Sequence, residues 1–142
     1  MNTLLDQNSL KSEIDSQIVM QSTSYNCGPA ALATVLQGMG ISCTEYELAQ
    51  IAGTDETGTT MYGLMKAAIK KGLDARGMRI KLDNLTSNNI VFLNIDGKFH
   101  YSVIGQMNEN TVILADPALG KIELAKSYFS RIYSGNALVI SE

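Results

Sequence analysis

Three residues in this chain could together carry out nucleophilic catalysis, namely Cys27, His100 and Asp116. Cys27 stands directly before Gly28-Pro29, where a helix is predicted to begin, and the free amides and positive dipole at a helix N-terminus lower the pKa of a thiol. His100 is the only histidine, so it is the only side chain that ordinarily acts as a base near neutral pH. Because cysteines are more often buried and inert, two interpretations of Cys27 stay open: a small buried hydrophobe or a nucleophile.

A hairpin register relates Asp116 to His100. The strand around His100 alternates, so His100 and Ser102 share one face. With a turn at residues 108–110, Asp116 lies opposite Ser102 and diagonal to His100, at a Cα separation of roughly 7–8 Å. A slip of one residue would move Asp116 to the other face. We therefore expect Asp116 to orient the His100 base, with a turn aspartate before proline as the alternative.

Gln21 lies six residues before Cys27 and is the candidate for an oxyanion donor. Its side-chain amide, together with the Cys27 backbone N–H, could stabilise the negative oxygen that forms when a thiolate attacks a carbonyl. The alternative is an ordinary surface glutamine. Cys43 belongs to no motif and is predicted to be a packing residue.

The pattern along the chain changes from helical spacing to strand-like alternation near residue 73, which predicts an α+β fold with N-terminal helices packed on an antiparallel β-sheet. Residues 1–17 are polar and without pattern, and we expect a flexible lead-in before one domain at 18–142. Predicted helices cover about 28–37, 44–53, 60–71 and 126–132, and predicted strands cover 75–80, 90–95, 99–106, 111–115, 137–140 and a short 121–124.

Composition narrows the class of protein. Apolar residues make up 45% and charged residues 18%, which is typical of a globular domain. The net charge of −3 and the absence of a basic stripe argue against nucleic acid as a partner. No apolar run is long enough for a membrane span or a secretory signal. One histidine and two cysteines without ligand spacing predict neither a metal nor a cofactor.

Three motifs, in this order, resemble peptidase family C39, the papain-like peptidases that process bacteriocin precursors. They are Gln21-x5-Cys27-Gly28-Pro29-Ala30-Ala31, His100-Tyr101-Ser102-Val103-Ile104 and Asp116-Pro117-Ala118-x-Gly120. The likeness covers roughly residues 18–140. It implies a papain-like cysteine peptidase fold in which Cys27 is the nucleophile, His100 the general base and acid, Asp116 the orienting carboxylate and Gln21 the oxyanion donor.

The same resemblance implies a substrate and a setting. Members of the family cut a leader peptide from its precursor after two glycines, usually as the N-terminal domain of an ABC exporter. We expect a cytoplasmic peptidase, or one at the cytoplasmic face of the membrane if it is part of an exporter. Met61, Tyr62 and Met65 could line a docking site for the leader, although core packing is the alternative for the two methionines. Two other functions stay open: a module that binds leaders without cutting them, and an acyl transferase.

Overall fold

The computed structural model describes residues 17–142, which form helices followed by an antiparallel sheet, and the predicted α+β class is confirmed. The helices are α1 (Cys27–Gly38), α2 (Glu45–Ala52), α3 (Met61–Lys70) and α4 (Lys126–Ile132). The strands are β1 (Asp74–Arg79), β2 (Ile90–Ile95), β3 (Lys98–Met107), β4 (Thr111–Asp116), β5 (Gly120–Ala125) and β6 (Tyr133–Ser141). The predicted lead-in at residues 1–17 lies, except for residue 17, outside the described residues.

The six strands form one sheet in the order β1-β6-β2-β3-β4-β5, and every neighbouring pair is antiparallel. Side-chain alternation buries both faces of this sheet. On β2, for example, Ile90 packs into the cluster with α1, α2 and α3, whereas Val91 packs into the cluster with Phe129 and Ile132 of α4. The first cluster fixes the N-terminus of α1 against β3, which is the contact that positions Cys27 near His100.

Two threonines, Thr44 and Thr60, are the N-cap residues directly before α2 and α3. The Thr44 side chain accepts a hydrogen bond from the Glu47 amide at 3.1 Å, and the Thr60 side chain accepts one from the Gly63 amide at 3.0 Å. The sequence predicts a full capping box at Thr44, but only half of it forms. The Glu47 carboxylate instead binds Lys71 at 3.0 Å, because α3 packs beside α2 and brings that ammonium within reach.

The close packing of α2 against α3 requires a glycine. A Cβ added at Gly63 would lie 2.3 Å from the Ala52 carbonyl oxygen, far inside van der Waals contact. The sequence places Gly63 inside a helix, where glycine ordinarily weakens the structure relative to alanine. The structure gives the reason for it: only hydrogen fits between the two helices at this point.

The last two strands are longer than predicted. Strand β5 extends to Gly120–Ala125, beyond the short 121–124 segment. Strand β6 begins at Tyr133 rather than at 137, and its first part contains Gly135 in a left-handed conformation (φ 91°). This first part has no apolar alternation, and its pairing with β2 shifts register between Val91 and Leu93, so period-based reasoning cannot detect it. Within residues 17–142, none of the helices has the length and apolarity needed to cross a membrane.

Candidate active site

Cys27 is the first residue of α1 and is half-buried. Burial raises the pKa of its thiol, but a hydrogen bond from His100, the backbone amide of Tyr101, the charge on His100 and the amide of Gly28 lower the pKa by more. The net result is a thiol pKa below its ordinary value. The Gly28 amide at the helix N-terminus and the Tyr101 amide on the facing strand thus both favour the charged form of the thiol.

His100 lies on β3 with its Nε2 atom 2.8 Å from the Asp116 Oδ1 atom, so Nδ1 is the ring nitrogen that Asp116 does not contact. Burial lowers the pKa of His100, yet the hydrogen bonds and negative charges of Asp116 and Cys27 raise it to about 9. A raised imidazole pKa beside a lowered thiol pKa favours a thiolate–imidazolium pair at neutral pH.

Asp116 ends β4 and is only 2% exposed. Its Oδ1 atom accepts hydrogen bonds from His100 and from the Ser102 hydroxyl at 2.8 Å, and its Oδ2 atom accepts the amides of Ala118 and Leu119 at 3.0 and 3.1 Å. Burial raises the pKa of this carboxyl, but the hydrogen bond and charge of His100 and the further donors lower it by more. The carboxylate is thus held charged and in one orientation behind the imidazole.

Ser102 has a part in this site that sequence reasoning did not assign. Strand alternation correctly sets it on the face of His100, and its hydroxyl is fully buried against Asp116. A serine in the middle of an otherwise apolar strand was the available signal, since a buried hydroxyl needs a partner. Ser102 holds the carboxylate in place rather than contacting the sulfur.

The register of β3 and β4 departs from the predicted one near the turn and returns to it near the site. Asn108 bonds Thr111 across a turn of two residues instead of three, so Met107 lies opposite Val112. A bulge at Gly105 takes up the extra residue, and beyond it Val103 lies opposite Ala115, as predicted. The turn prediction is wrong, but the bulge compensates for it, and Asp116 shares the face of His100.

Gln21 lies in the same cleft as Cys27, and two hydrogen bonds fix it. Its backbone N–H donates to the Pro117 carbonyl at 2.8 Å, and its side-chain Nε2 donates to the Thr23 carbonyl at 2.8 Å. The first bond ties the segment before Cys27 to the loop that follows Asp116. The second uses one of the two N–H donors of the side-chain amide, whose Oε1 atom is buried without a hydrogen-bond partner.

A cleft of about 520 Å³ contains Gln21, Cys27 and His100. Its other walls are mainly apolar and include Phe99 and Leu119, which are 62% and 70% exposed. Large apolar side chains this exposed, beside a reactive thiol, are typical of a surface that binds an apolar segment of a ligand. The cleft therefore combines the Cys27 thiol with an exposed apolar surface.

The residues considered for leader docking from sequence lie elsewhere. Met61, Tyr62 and Met65 line a separate groove of about 380 Å³ beside β1, and this groove shares no residue with the cleft of Cys27. The two methionines pack against the core, as their alternative interpretation expected. Cys43 is buried with the α1–α3 core, also as expected, and burial raises its pKa.

Comparisons with known proteins agree on one family. The model of the peptidase C39 family matches residues 15–142. An uncharacterized protein of Methanothermobacter thermautotrophicus is 59% identical over 126 residues, covering 89% of this chain and 89% of the relative. The pediocin PA-1 transport/processing ATP-binding protein of Pediococcus acidilactici is 33% identical over 124 residues, which make up 82% of this chain but 17% of the relative.

A solved structure extends the likeness to the fold. It is that of a double glycine motif protease from an AMS/PCAT transporter in complex with the leader peptide. It superimposes with a TM-score of 0.81 at 26% identity, covering 87% of this chain and 89% of that one. The predicted papain-like arrangement of helices on an antiparallel sheet is therefore shared with a peptidase of the same kind.

Proposed function

The chain belongs to the peptidase C39 family, and from this premise we propose that it is a cysteine endopeptidase that removes a leader from a precursor peptide, after a Gly-Gly type site. The observation that supports the proposal most is geometric: Cys27 at the N-terminus of α1 and His100 line one cleft, and the His100 Nε2 atom lies 2.8 Å from the Asp116 carboxylate. A thiol poised as a thiolate beside a protonated imidazole has both the nucleophile and the acid that peptide cleavage needs.

The reaction follows from four side chains. The Cys27 thiolate attacks the carbonyl carbon of the scissile bond, and the Gln21 amide and the Cys27 N–H bind the oxygen as it becomes negative. His100, oriented by Asp116, gives its proton to the departing amine, which leaves an acyl group on the sulfur. His100 then takes a proton from water, which attacks the acyl group and releases the carboxylate product and the free thiolate.

The apolar cleft supports a leader as the substrate. A leader helix with one apolar face would pack on Phe99, Leu119 and Tyr128, so that its extended end lies along Cys27. The solved relative named for its double glycine motif was captured with a leader peptide, and the Pediococcus relative is named for transport and processing. We extend the Gly-Gly preference, the cytoplasmic location and an ABC exporter as partner to this chain on that basis.

Mass spectrometry of a panel of precursor peptides tests this function. The wild type and Cys43→Ala, which removes only the other cysteine, should release products cut after Gly-Gly, and Cys27→Ala should release none. Replacing the two glycines by valines should stop cleavage. Products joined to an added amine would indicate acyl transfer, and binding of uncut precursor by the wild type would indicate a binding module; either result contradicts the proposal.

A further inference from the structure

The loop from Ser22 to Asn26 joins the two proposed oxyanion donors. It follows Gln21 and precedes Cys27, and it contains neither helix nor strand. The distance between the Gln21 amide and the Cys27 N–H is therefore set by whatever holds this loop. Catalysis by preorganised donors is sensitive to placement, since donors must lie about 2.7–3.1 Å from the developing oxyanion.

Glu45, in the first turn of α2, holds both ends of this loop. Its Oε2 atom accepts the Ser22 backbone N–H at 2.9 Å, and its Oε1 atom accepts the Ser22 hydroxyl and the Asn26 Nδ2 group, the latter at 2.9 Å. Ser22 is the residue next to Gln21, and Asn26 is the residue next to Cys27. One carboxylate thus spans the interval between the two donors.

The contact with Asn26 has a second consequence. Asn26 occupies the N-cap of α1, where an asparagine commonly satisfies an amide of the first turn with its side-chain oxygen. Here it makes no capping hydrogen bond, because its side chain is turned to Glu45. Pro29 has no N–H and the Ala30 amide donates to the Asn26 carbonyl at 3.0 Å, so the Cys27 and Gly28 amides are the ones left for the sulfur and for a substrate oxygen.

We propose that Glu45 is a positioning residue for the oxyanion site, acting through Ser22 and Asn26 on Gln21 and Cys27. This inference rests on the proposed peptidase function and deepens it. Glu45 itself hydrogen-bonds the loop and none of Cys27, His100 or Asp116 within residues 17–142. Its removal should therefore affect oxyanion binding without changing the thiolate–imidazolium pair.

The matched control is Glu47, which has the same charge in the same helical turn but pairs with Lys71. Glu45→Gln should lower kcat roughly 10-fold or more, up to the 10²–10³-fold that the loss of one oxyanion donor costs. KM and the pH profile of Cys27 alkylation should stay unchanged. Glu47→Gln should retain kcat within about twofold, since it leaves the loop bonds intact and alters only a partly exposed ion pair.

A double variant separates positioning from general destabilisation. If Glu45 acts on both Gln21 and Cys27, Glu45→Gln should lower kcat by a smaller factor in the Gln21→Ala background than in the wild type, because one of its two targets is already absent. If the fold-decrease in kcat of the double variant equals the product of the fold-decreases of the two single variants, the proposal is overturned. Equal losses in Glu45→Gln and Glu47→Gln would overturn it as well, because they would indicate an effect of helix charge only.

A Gly-Gly peptide aldehyde keeps this test independent of turnover. Its adduct with Cys27 places an oxygen between the two donors. The concentration of aldehyde that protects Cys27 from alkylation therefore measures how strongly the oxyanion site binds that oxygen. If the wild type cleaves no precursor, the proposed function fails. The positioning role is then supported by a 10-fold or greater weakening of aldehyde binding in Glu45→Gln, and overturned by unchanged binding or by the lack of any adduct.

Discussion

Replacing Asp116 by asparagine tests whether this carboxylate keeps His100 protonated. The His100 pKa rises from 6.5 to about 9 although burial lowers it, and Asp116 is the largest contributor in the upward direction. An opposite charge this close changes a pKa by roughly 1–3 pH units, so we expect the His100 pKa of Asp116→Asn to fall by that amount. At about 1.4 kcal/mol per unit, the protonated imidazole loses roughly 1.4–4 kcal/mol of stabilisation.

Hydrogen bonding adds a second cost in this variant. Both carboxylate oxygens of Asp116 act as hydrogen-bond acceptors. In asparagine one of them becomes an NH₂ donor, which must then face other donors, either His100 and Ser102 or two backbone amides. Each donor left unmatched in a buried site costs about 1–3 kcal/mol.

The loss of charge and the loss of hydrogen bonds can be told apart by their dependence on pH. A raised histidine pKa stabilises the fold fully below the unfolded pKa, and this stabilisation is lost as the pH rises through about 9. The difference in the free energy of unfolding between the wild type and Asp116→Asn should therefore shrink between pH 6 and pH 10. The difference that remains at pH 10 is the cost of the mismatched hydrogen bonds.

Proton NMR reads the His100 pKa without ambiguity, because the chain has one histidine. The wild type should titrate at about 9, and Asp116→Asn clearly lower. Ser102→Ala is the control: it removes one donor to the same Oδ1 atom but keeps the charge, so its His100 should titrate close to the wild-type value. An Asp116→Asn variant that titrates like the wild type would refute the assignment of the raised pKa to Asp116.

Three further predictions concern single side chains. Gly63→Ala should lower the free energy of unfolding in urea by about 1–3 kcal/mol, because its Cβ would overlap the backbone of α2. The helical control Gly38→Ala, with nothing within 4 Å of its Cβ, should instead be neutral or stabilising by up to about 1 kcal/mol. Tyr101→Phe removes a hydrogen bond of 2.9 Å to the Thr59 carbonyl and should cost about 1 kcal/mol in the same assay. Gln21→Ala should lower kcat for a Gly-Gly precursor by 10²–10³-fold with KM nearly constant, and an unchanged kcat would remove Gln21 from the oxyanion site.

Local patterns were sufficient for most of the fold. Helical spacing of apolar residues and strand alternation are short-range signals, and they located α1, α2, α3 and β2 within a residue or two. The pairing of His100 with Asp116 was also accessible, since strand alternation and one hairpin decide which side chains share a face.

Long-range contacts account for what sequence reasoning missed. The hydrogen bonds of Glu45 to Ser22 and Asn26 join residues that are 23 and 19 positions apart in the sequence, respectively. No periodicity relates a helix turn to a distant loop. Sequence reasoning assigned the first turn of α2 to capping alone. The bulge at Gly105 was missed for a similar reason. A Cβ added at Gly105 would lie 3.2 Å from the Ile113 carbonyl oxygen across the hairpin, which favours glycine at this position. That contact exists only once the strands have paired.

The pH dependence of Cys27 alkylation tests the central claim, a thiolate nucleophile paired with His100, most directly. Iodoacetamide labelling with peptide mapping reports Cys27 and Cys43 separately in one sample. In the wild type, Cys27 should react with a midpoint below the ordinary value of about 8.5, and Cys43 above it, because burial raises its pKa. In His100→Ala, the Cys27 midpoint should rise to about 8.5 or higher, since burial then acts without the imidazole. A Cys27 that titrates like a free thiol and does not respond to His100→Ala would contradict the account.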